Sequence, residues 1–516
     1  QCVHVCPTGA LQEKVLVQKP VPLEGDLTET VCNQCGLGCS IELESKGSML
    51  LRSLPKSTDS INKGLLCKKG RFDLVLQQNQ RRIRKPMVRK NGILEEVSWD
   101  EAVLYIARKA QSINLRYGDN SMATIVSGKY FNETIYLAKK LANETFKTEN
   151  IYANKGYAKG LKDVLGYDVS TNVVTELEYT DMIITIGTRI METQPVLGVR
   201  IKKAAQKGVE MIVIGDEKTQ ADQWATACYY EDDLSLLKGI AKYTLEKTGY
   251  NKGDGIEAFR ESLSDFKVSI DAEHIAKEIL SKKNVMFVCD REKLSDDAMM
   301  LVAEIAVMTE HIGRPRNGII QLREDGNTQG MVDLGIKMNT EALNDKIQSG
   351  DVRGLIIMDD NLTVNLADTL EFVMVQGEYY SVLLEYADVV MPSPSHAETD
   401  GTMTSQDRRI QYVRSAIDPR TDMTNIDQIQ EIIRVFNSQD YVEDEYILEH
   451  IGKSVPEYLH VADNINSDSY WPIGKSRILY ENGYHTESGK PQFHSVECNR
   501  MYRNNDNEVI TKEEVI

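Results

Sequence analysis

Cys32, Cys35 and Cys39 stand within the ten residues VCNQCGLGCS, and Cys67 follows in GLLCKKGRFDL, giving the spacing C-x2-C-x3-C-x27-C. Four thiolates around one centre suit Zn²⁺ or an iron–sulfur cluster. Structural zinc sites usually pair two short C-x2-C hairpins. Here three cysteines crowd one loop and a remote one completes the set. That arrangement favours a [4Fe–4S] cubane, in which one loop wraps three irons and a distant residue takes the fourth. Gly36 and Gly38 let the loop turn tightly and are expected to aim amides at the cluster sulfurs.

A second signal opens the chain. In QCVHVCPTGAL, Cys2 and Cys6 form C-x3-C-P, which resembles the closing half of the bacterial ferredoxin run C-x2-C-x2-C-x3-C-P. They would be its third and fourth cysteines, ligands of a ferredoxin-type [4Fe–4S] site completed upstream of Gln1. The sequence is therefore expected to begin inside a longer protein. His4, between them, reads as a spacer. Cys228, Cys289 and Cys498 have no cysteine neighbours and read as ordinary or core thiols.

The surroundings of these motifs limit what they serve. A chain of 516 residues is expected to form about two to four domains. Its net charge of −18 would repel phosphate backbones, which argues against nucleic acid as a partner. No stretch has the apolar run of a membrane span, so no membrane insertion is expected. The opening residues do not read as a signal peptide, so none is expected at this start. Six of the nine cysteines fall in residues 1–67, a clustering that reads as metal binding in a reducing, cytoplasmic compartment. Downstream, MATIVSG, TDMIITIGT, VEMIVIGD, NVMFVCD, GLIIMDD and ADVVMPSP each read as a buried strand ending in a loop. Amphipathic helical patterns such as PVLGVRIKKAAQKG alternate with them. Continuous apolar strands between helices predict α/β domains with parallel sheets covered on both faces. Ligands in such folds lie beyond the carboxyl ends of the strands. Residues from about 438 onward are tyrosine-rich, polar and irregular, with 501–516 reading as a tail.

The cysteine run with CKKGRF is similar to the amino-terminal cluster of the molybdopterin oxidoreductase superfamily, which includes formate dehydrogenase catalytic subunits and the large iron–sulfur subunit of NADH dehydrogenase (complex I). The resemblance continues through TDMIITIGTRIMETQPVLGVRIKKAAQKGVEMIVIGD, GRPRNGIIQLREDGNTQGMVDLG, YADVVMPSPSHAETDGTMTSQDRRIQYVRSAIDP and SYWPIGKSRILYENGYHTESGKPQFHSVE, over about residues 28–497. It implies a small iron–sulfur domain and two parallel-sheet α/β domains of the formate dehydrogenase type. The carboxyl-terminal barrel domain of the family is expected to be absent. The implied boundaries are 1–27 for the end of a ferredoxin-like domain and 28–85 for the [4Fe–4S] domain, completed by about 438–500. An α/β domain follows at 86–125 and 326–437, with a Rossmann-like α/β domain inserted at 126–325.

Against this resemblance the chain departs at the metal. Catalytic members carry selenocysteine or cysteine followed by histidine. Registered on Leu161 and Gly166, those positions are about Ala153 and Asn154, and neither offers a soft anionic ligand. Where the family commonly has D-P-R, this chain reads Asp216-Glu217-Lys218. Where the family has a glycine-rich loop, Glu231, Asp232 and Asp233 would repel a dinucleotide diphosphate. Two matches remain: Arg323 with the formate-site arginine, and Lys69 with the lysine between cluster and pterin. The bland readings are Arg323 paired with a local carboxylate and Lys69 donating to a cluster sulfide. The expectation is an iron–sulfur electron-transfer subunit of a soluble multisubunit NAD(P)H-linked oxidoreductase, complex I-like or electron-bifurcating, with molybdopterin dinucleotide absent. Its partners would be flavin- and [2Fe–2S]-containing NAD(P)H-oxidising subunits, and ferredoxin. The alternatives are a catalytic molybdenum or tungsten bis-pterin formate dehydrogenase-like subunit, in which Arg323 and Lys69 would be catalytic, and a degenerate docking scaffold.

Overall fold

A computed structural model describes residues 10–11, 25–76, 78, 81–361, 364–436, 442–443, 446–464, 469–472 and 476–496. Cys2, His4, Cys6 and Cys498, and the tail, lie outside the described residues. Three antiparallel strands, β1 (Asp26–Val31), β2 (Ser40–Lys46) and β3 (Met49–Pro55), form the small amino-terminal sheet.

Two larger sheets follow. One has seven strands in the order β5-β4-β15-β14-β13-β6-β7. These are β4 (Met87–Lys90), β5 (Ile93–Glu96), β6 (Met122–Val126), β7 (Ile151–Ala153), β13 (Gly354–Met358), β14 (Phe372–Gly377) and β15 (Val389–Pro392). Strands β15 to β7 run parallel, and β4 and β5 add an antiparallel edge. The other sheet has five parallel strands in the order β10-β9-β8-β11-β12: β8 (Met182–Ile186), β9 (Glu210–Ile214), β10 (Ala227–Tyr229), β11 (Val285–Asp290) and β12 (Gly318–Leu322). Every residue of β8, β11 and β12 is buried. Their unbroken apolar character follows from being covered on both faces.

Those two faces explain where the cysteine domain sits. Met182, Ile184, Ile186 and Phe287 share a core with helices Asp233–Thr248 and Asp296–Met308. From the opposite face, Ile183, Met286, Val288 and Ile320 share a core with helix Pro195–Gln206 and with Cys32, Leu37, Cys39, Ile41 and Leu43. The cysteine hairpin is thus built onto the back of the five-stranded sheet. A last small sheet joins β16 (Gly401–Thr404), β17 (Arg409–Val413) and β18 (Ser469–Tyr470).

Two expected boundaries move. The inserted sheet does not draw strands from residue 126 onward, because β7 pairs with β6 in the seven-stranded sheet and the inserted sheet's strands run from 182 to 322. A strand of three residues in NIYAN is too short to register as an apolar run. Beyond β18, the carboxyl-terminal stretch does not complete the cysteine domain. Leu479 N donates to Thr171 O (3.0 Å), His485 N to Leu165 O (3.1 Å) and Phe493 N to Asp254 O (2.7 Å), and Phe493 packs between Tyr250 and Phe259. The segment runs along the inserted unit. Its close approach requires Gly166 (φ +93°), where a Cβ would lie 2.9 Å from His485 Cα. Lacking helical or strand periodicity, this stretch carries no pattern that announces which layer it covers. Among the described residues no helix is long and apolar enough to cross a membrane.

Candidate functional site

The hairpin between β1 and β2 closes on itself through Cys32 N to Cys39 O (2.9 Å), so its three cysteines line one concave loop. Asn62 fixes the fourth. Its Oδ1 accepts from Ser40 N (3.0 Å) and its Nδ2 donates to Leu65 O (2.8 Å), holding the Cys67 segment against the hairpin. The four cysteines, none in a disulfide, line one cavity with Gln34, Leu37, Leu66, Gly70, Gln194, Pro195 and Val196. A Cβ at Gly70 would stand 3.2 Å from Cys32 Sγ, within the space of the thiol. Cys32 and Cys39 are buried, while Cys35 and Cys67 are half-buried and form the outward side.

Burial, reinforced by the neighbouring thiols, pushes Cys32 and Cys39 far above the ordinary thiol range, and burial pushes Cys35 up to about 11. Opposing this, the charge of Lys69 acts on Cys32 and Cys35, and that of Arg409 on Cys39. Without metal, the thiols of Cys32, Cys35 and Cys39 hold their protons. Metal binding releases them and supplies the positive charge that lets four thiolates coexist in a dry pocket. Three thiols from one loop and a fourth from a remote segment ring this one cavity, and that donor set fits a [4Fe–4S] cluster better than the paired short hairpins of structural zinc sites.

The expected amide roles shift by position. Gly36 N donates to Arg323 O (2.9 Å) and Gly38 N lies 3.4 Å from Cys35 O, so neither is aimed at sulfur. The amides of Gln34 and Leu37 serve the thiols of Cys32 and Cys35 instead. Both glycines are still required by space, since a Cβ at Gly36 would lie 2.6 Å from Arg323 Cβ and one at Gly38 would strike Gln411.

Three residues that sequence reasoning missed lock this loop to the sheet. Gln194 Nε2 donates to Gln406 Oε1 (2.7 Å) and to Arg323 O (3.0 Å), and Gln406 Nε2 returns a bond to Gln194 Oε1 (3.0 Å). Gln406 N donates to Gly36 O (2.7 Å). Arg409 Nη2 donates to both Leu37 O and Gly38 O (2.9 Å each). The signal available was the run of polar residues in METQP and TSQDRRIQ, which a surface strand does not need to bury.

A second region lies where the carboxyl ends of the two sheets meet. Loops after β6 and β7 reach loops after β11 and β12: Asn327 N donates to Gly128 O (2.8 Å) and Ala158 N to Arg291 O (3.3 Å). Ala153 ends β7, fully buried, and Asn154 Nδ2 donates to Asp359 Oδ2 (2.6 Å). Arg323 does not pair directly with a carboxylate. Its Nη2 donates to Gln329 Oε1 (2.8 Å) and Asp168 O (3.0 Å), and burial, with Arg291 nearby, lowers its pKa to about 9. The neighbouring Arg291 takes the carboxylate, with Nη1 2.8 Å from Asp168 Oδ2. Lys69 is half-buried. Cys289 is fully buried inside β11 and Cys228 half-buried on β10, as the bland reading has it.

The loops that would face a diphosphate are acidic. Asp232 caps helix Asp233–Thr248 by accepting from Ser235 N (2.9 Å), occupying donors that would otherwise suit a phosphate. Burial, with Asp216 and Asp232 beside it, raises Asp233 to about 6. Glu217 pairs with Arg189 (3.1 Å). At the position that the resemblance assigns to the metal ligand stands a methyl, and the loop that it assigns to the diphosphate is anionic.

Residues 82–434 match the molybdopterin oxidoreductase family and residues 26–76 its Fe4S4 domain. The chain is 27% identical to a protein of Staphylococcus aureus (strain Mu50) named "Putative formate dehydrogenase", over 93% of this chain and 57% of that protein. It is 28% identical to the like-named protein of strain MRSA252, with the same coverage. The chain thus spans little more than half the length of these curated relatives. In fold it is similar to acetylene hydratase from Pelobacter acetylenicus, with a TM-score of 0.67 at 14% identity, covering 90% of this chain and 77% of that one. With its Fe4S4 hairpin seated on a doubly wound sheet, and the family match running through both larger sheets, the chain belongs to the molybdopterin oxidoreductase family.

Proposed function

We propose that this chain is an electron-transfer subunit of an NAD(P)H-linked oxidoreductase complex, carrying electrons on a [4Fe–4S] cluster held by Cys32, Cys35, Cys39 and Cys67 and working without a molybdenum site. One contrast carries the reading: the cluster cavity has all four thiols, while Ala153, at the metal-ligand position, presents a buried methyl. The cluster, when bound, supplies reversible one-electron chemistry. The chain's own residues supply the rest. Arg409 and Lys69 place positive charge beside the thiolates, and Gln194 and Gln406 keep the loop from moving as its charge changes. Half-buried Cys35 and Cys67 mark the side on which flavin- and [2Fe–2S]-bearing partners, or a ferredoxin, would exchange electrons. The nicotinamide link rests on likeness to the complex I large subunit.

A second reading, a catalytic formate dehydrogenase-like subunit, draws on the names of the Staphylococcus aureus proteins and on Arg323 and Lys69. Elemental analysis of the anaerobically purified native complex separates the two. Iron and sulfide with no molybdenum or tungsten is the expected result. Molybdenum or tungsten near one per chain would replace this reading with the catalytic one.

A further inference from the structure

The electron-transfer reading leaves a pair of glutamates unused. Glu292 lies two residues beyond β11 and Glu324 two residues beyond β12. These strands are parallel neighbours, so the two carboxyls stand side by side within hydrogen-bonding reach. From the other sheet, Lys155 in the loop after β7 closes an ion pair on Glu324. Lys69 faces Glu324 from the cysteine domain. Asp290 stands beside Glu292 at the end of its own strand, and Asp325, itself facing Lys129, stands beside Glu324. Tyr157 completes the surroundings.

Two carboxyls this close cannot both ionise without repulsion, so they share a proton and titrate as a unit. Burial and Glu324 raise Glu292 to about 8, while Glu324, bonded to Glu292 and Lys155, is held low. The side chains of Glu324 and Lys155 are 42% and 33% exposed and Glu292 is exposed as well, so water reaches the pair.

The pair is also tied to the cysteine loop. Glu324 lies between Arg323, whose carbonyl accepts from Gly36 N (2.9 Å), and Gly326, whose N–H donates to Asn33 O (3.0 Å). A Cβ at Gly326 would be 2.7 Å from Asn33 Cα, so the segment is pressed against the loop without slack. The charge of Asp325 already acts on the Cys35 thiol. Charge added among the thiols must act on its neighbour Glu324 in turn.

We infer that Glu292 and Glu324 form a proton site coupled to the cluster: as the cluster gains an electron from its donor, the pair takes one proton from the surrounding water, and it returns that proton when the electron leaves. The inference rests on the cluster reading. An O–H bond forms on one carboxylate at reduction and breaks at oxidation; no other bond changes. Added negative charge raises the pair's proton affinity. The midpoint potential must then fall as pH rises between the affinity of the oxidised form and that of the reduced form, and be flat outside that window.

The test is an EPR-monitored redox titration of the full chain with its cluster, from about pH 6 to about pH 9, bracketing the pair. Wild type is expected to lose potential with rising pH, by up to about 59 mV for each tenfold change in proton affinity in a one-electron step. Glu292→Gln and Glu324→Gln should each flatten the slope with the EPR line shape unchanged, and Glu324→Asp should keep it. A flat wild-type potential with an intact signal overturns the coupling, as does a slope surviving in both glutamine variants. A missing signal in wild type overturns the cluster assignment and this inference with it.

Discussion

Replacing Cys35 with alanine is expected to remove about four irons per chain together with one reduced-state EPR signal. The cause is the way the cavity divides its labour. Cys32 and Cys39 are buried against the five-stranded sheet, and Cys35 and Cys67 close the outward side. Removing Cys35 opens that side to water and leaves Cys32 and Cys39, which burial holds in the protonated state, without a metal to displace the protons. Cys289→Ala provides the contrast. That thiol is fully buried in β11 and reaches no part of the cavity lining, so iron content should stay at the wild-type level. Iron and acid-labile sulfide per chain, with EPR of the dithionite-reduced protein, check both. Unchanged iron in Cys35→Ala would overturn the assignment of the site.

The difference between what the residues announced and what only folding revealed has a physical basis. Three of the four ligands lie on one loop, so their spacing is a local property that survives in the linear sequence. The parallel strands were equally legible, because burial on both faces leaves unbroken apolar runs such as MIITI and VMFVCD. The support of the loop was not. Gln194 and Gln406 meet across 212 residues of chain, and neither has a pattern of its own. Arg409 stands 371 residues from the Gly38 carbonyl it holds. Arg323 departs from the expected pairing for a related reason. A carboxylate partner is the ordinary expectation for a buried guanidinium, but Arg291 arrives from the neighbouring strand end and takes it. Likewise β7, with three residues, is a strand only because β6 lies beside it.

That arrangement sets Asp168 at the junction of two buried guanidinium groups. Its Oδ2 lies 2.8 Å from Arg291 Nη1, while its backbone carbonyl accepts from Arg323 Nη2 (3.0 Å) and Gln329 Nε2 (3.2 Å). Both guanidinium side chains are essentially without solvent contact, at 1% exposure for each residue, and Arg291 disfavours the charge of Arg323. Asp168→Asn keeps the carbonyl bonds and the side-chain shape and removes only the negative charge. Breaking a buried pair on one side leaves an uncompensated charge in a dry interior, so the variant should lose about 3–5 kcal/mol of stability. Asp333, which carries a raised pKa near 7 and accepts from Gln329, Tyr458 and Trp471, acts on the adjoining Arg323 charge and can offset part of the excess positive charge. Its help should be greater above its pKa, so the Asp168→Asn deficit should shrink as pH rises through about 7. Adding Arg291→Met should recover most of the loss at any pH, because replacing a buried ion pair with well-packed apolar atoms is often neutral or better. The double-mutant cycle therefore reads the pair directly, with a coupling well above the scatter expected for independent sites. Denaturant unfolding followed by circular dichroism measures all three variants. A wild-type midpoint for Asp168→Asn, or strict additivity of the two substitutions, would show that the carboxylate does not hold the guanidinium charge at this junction.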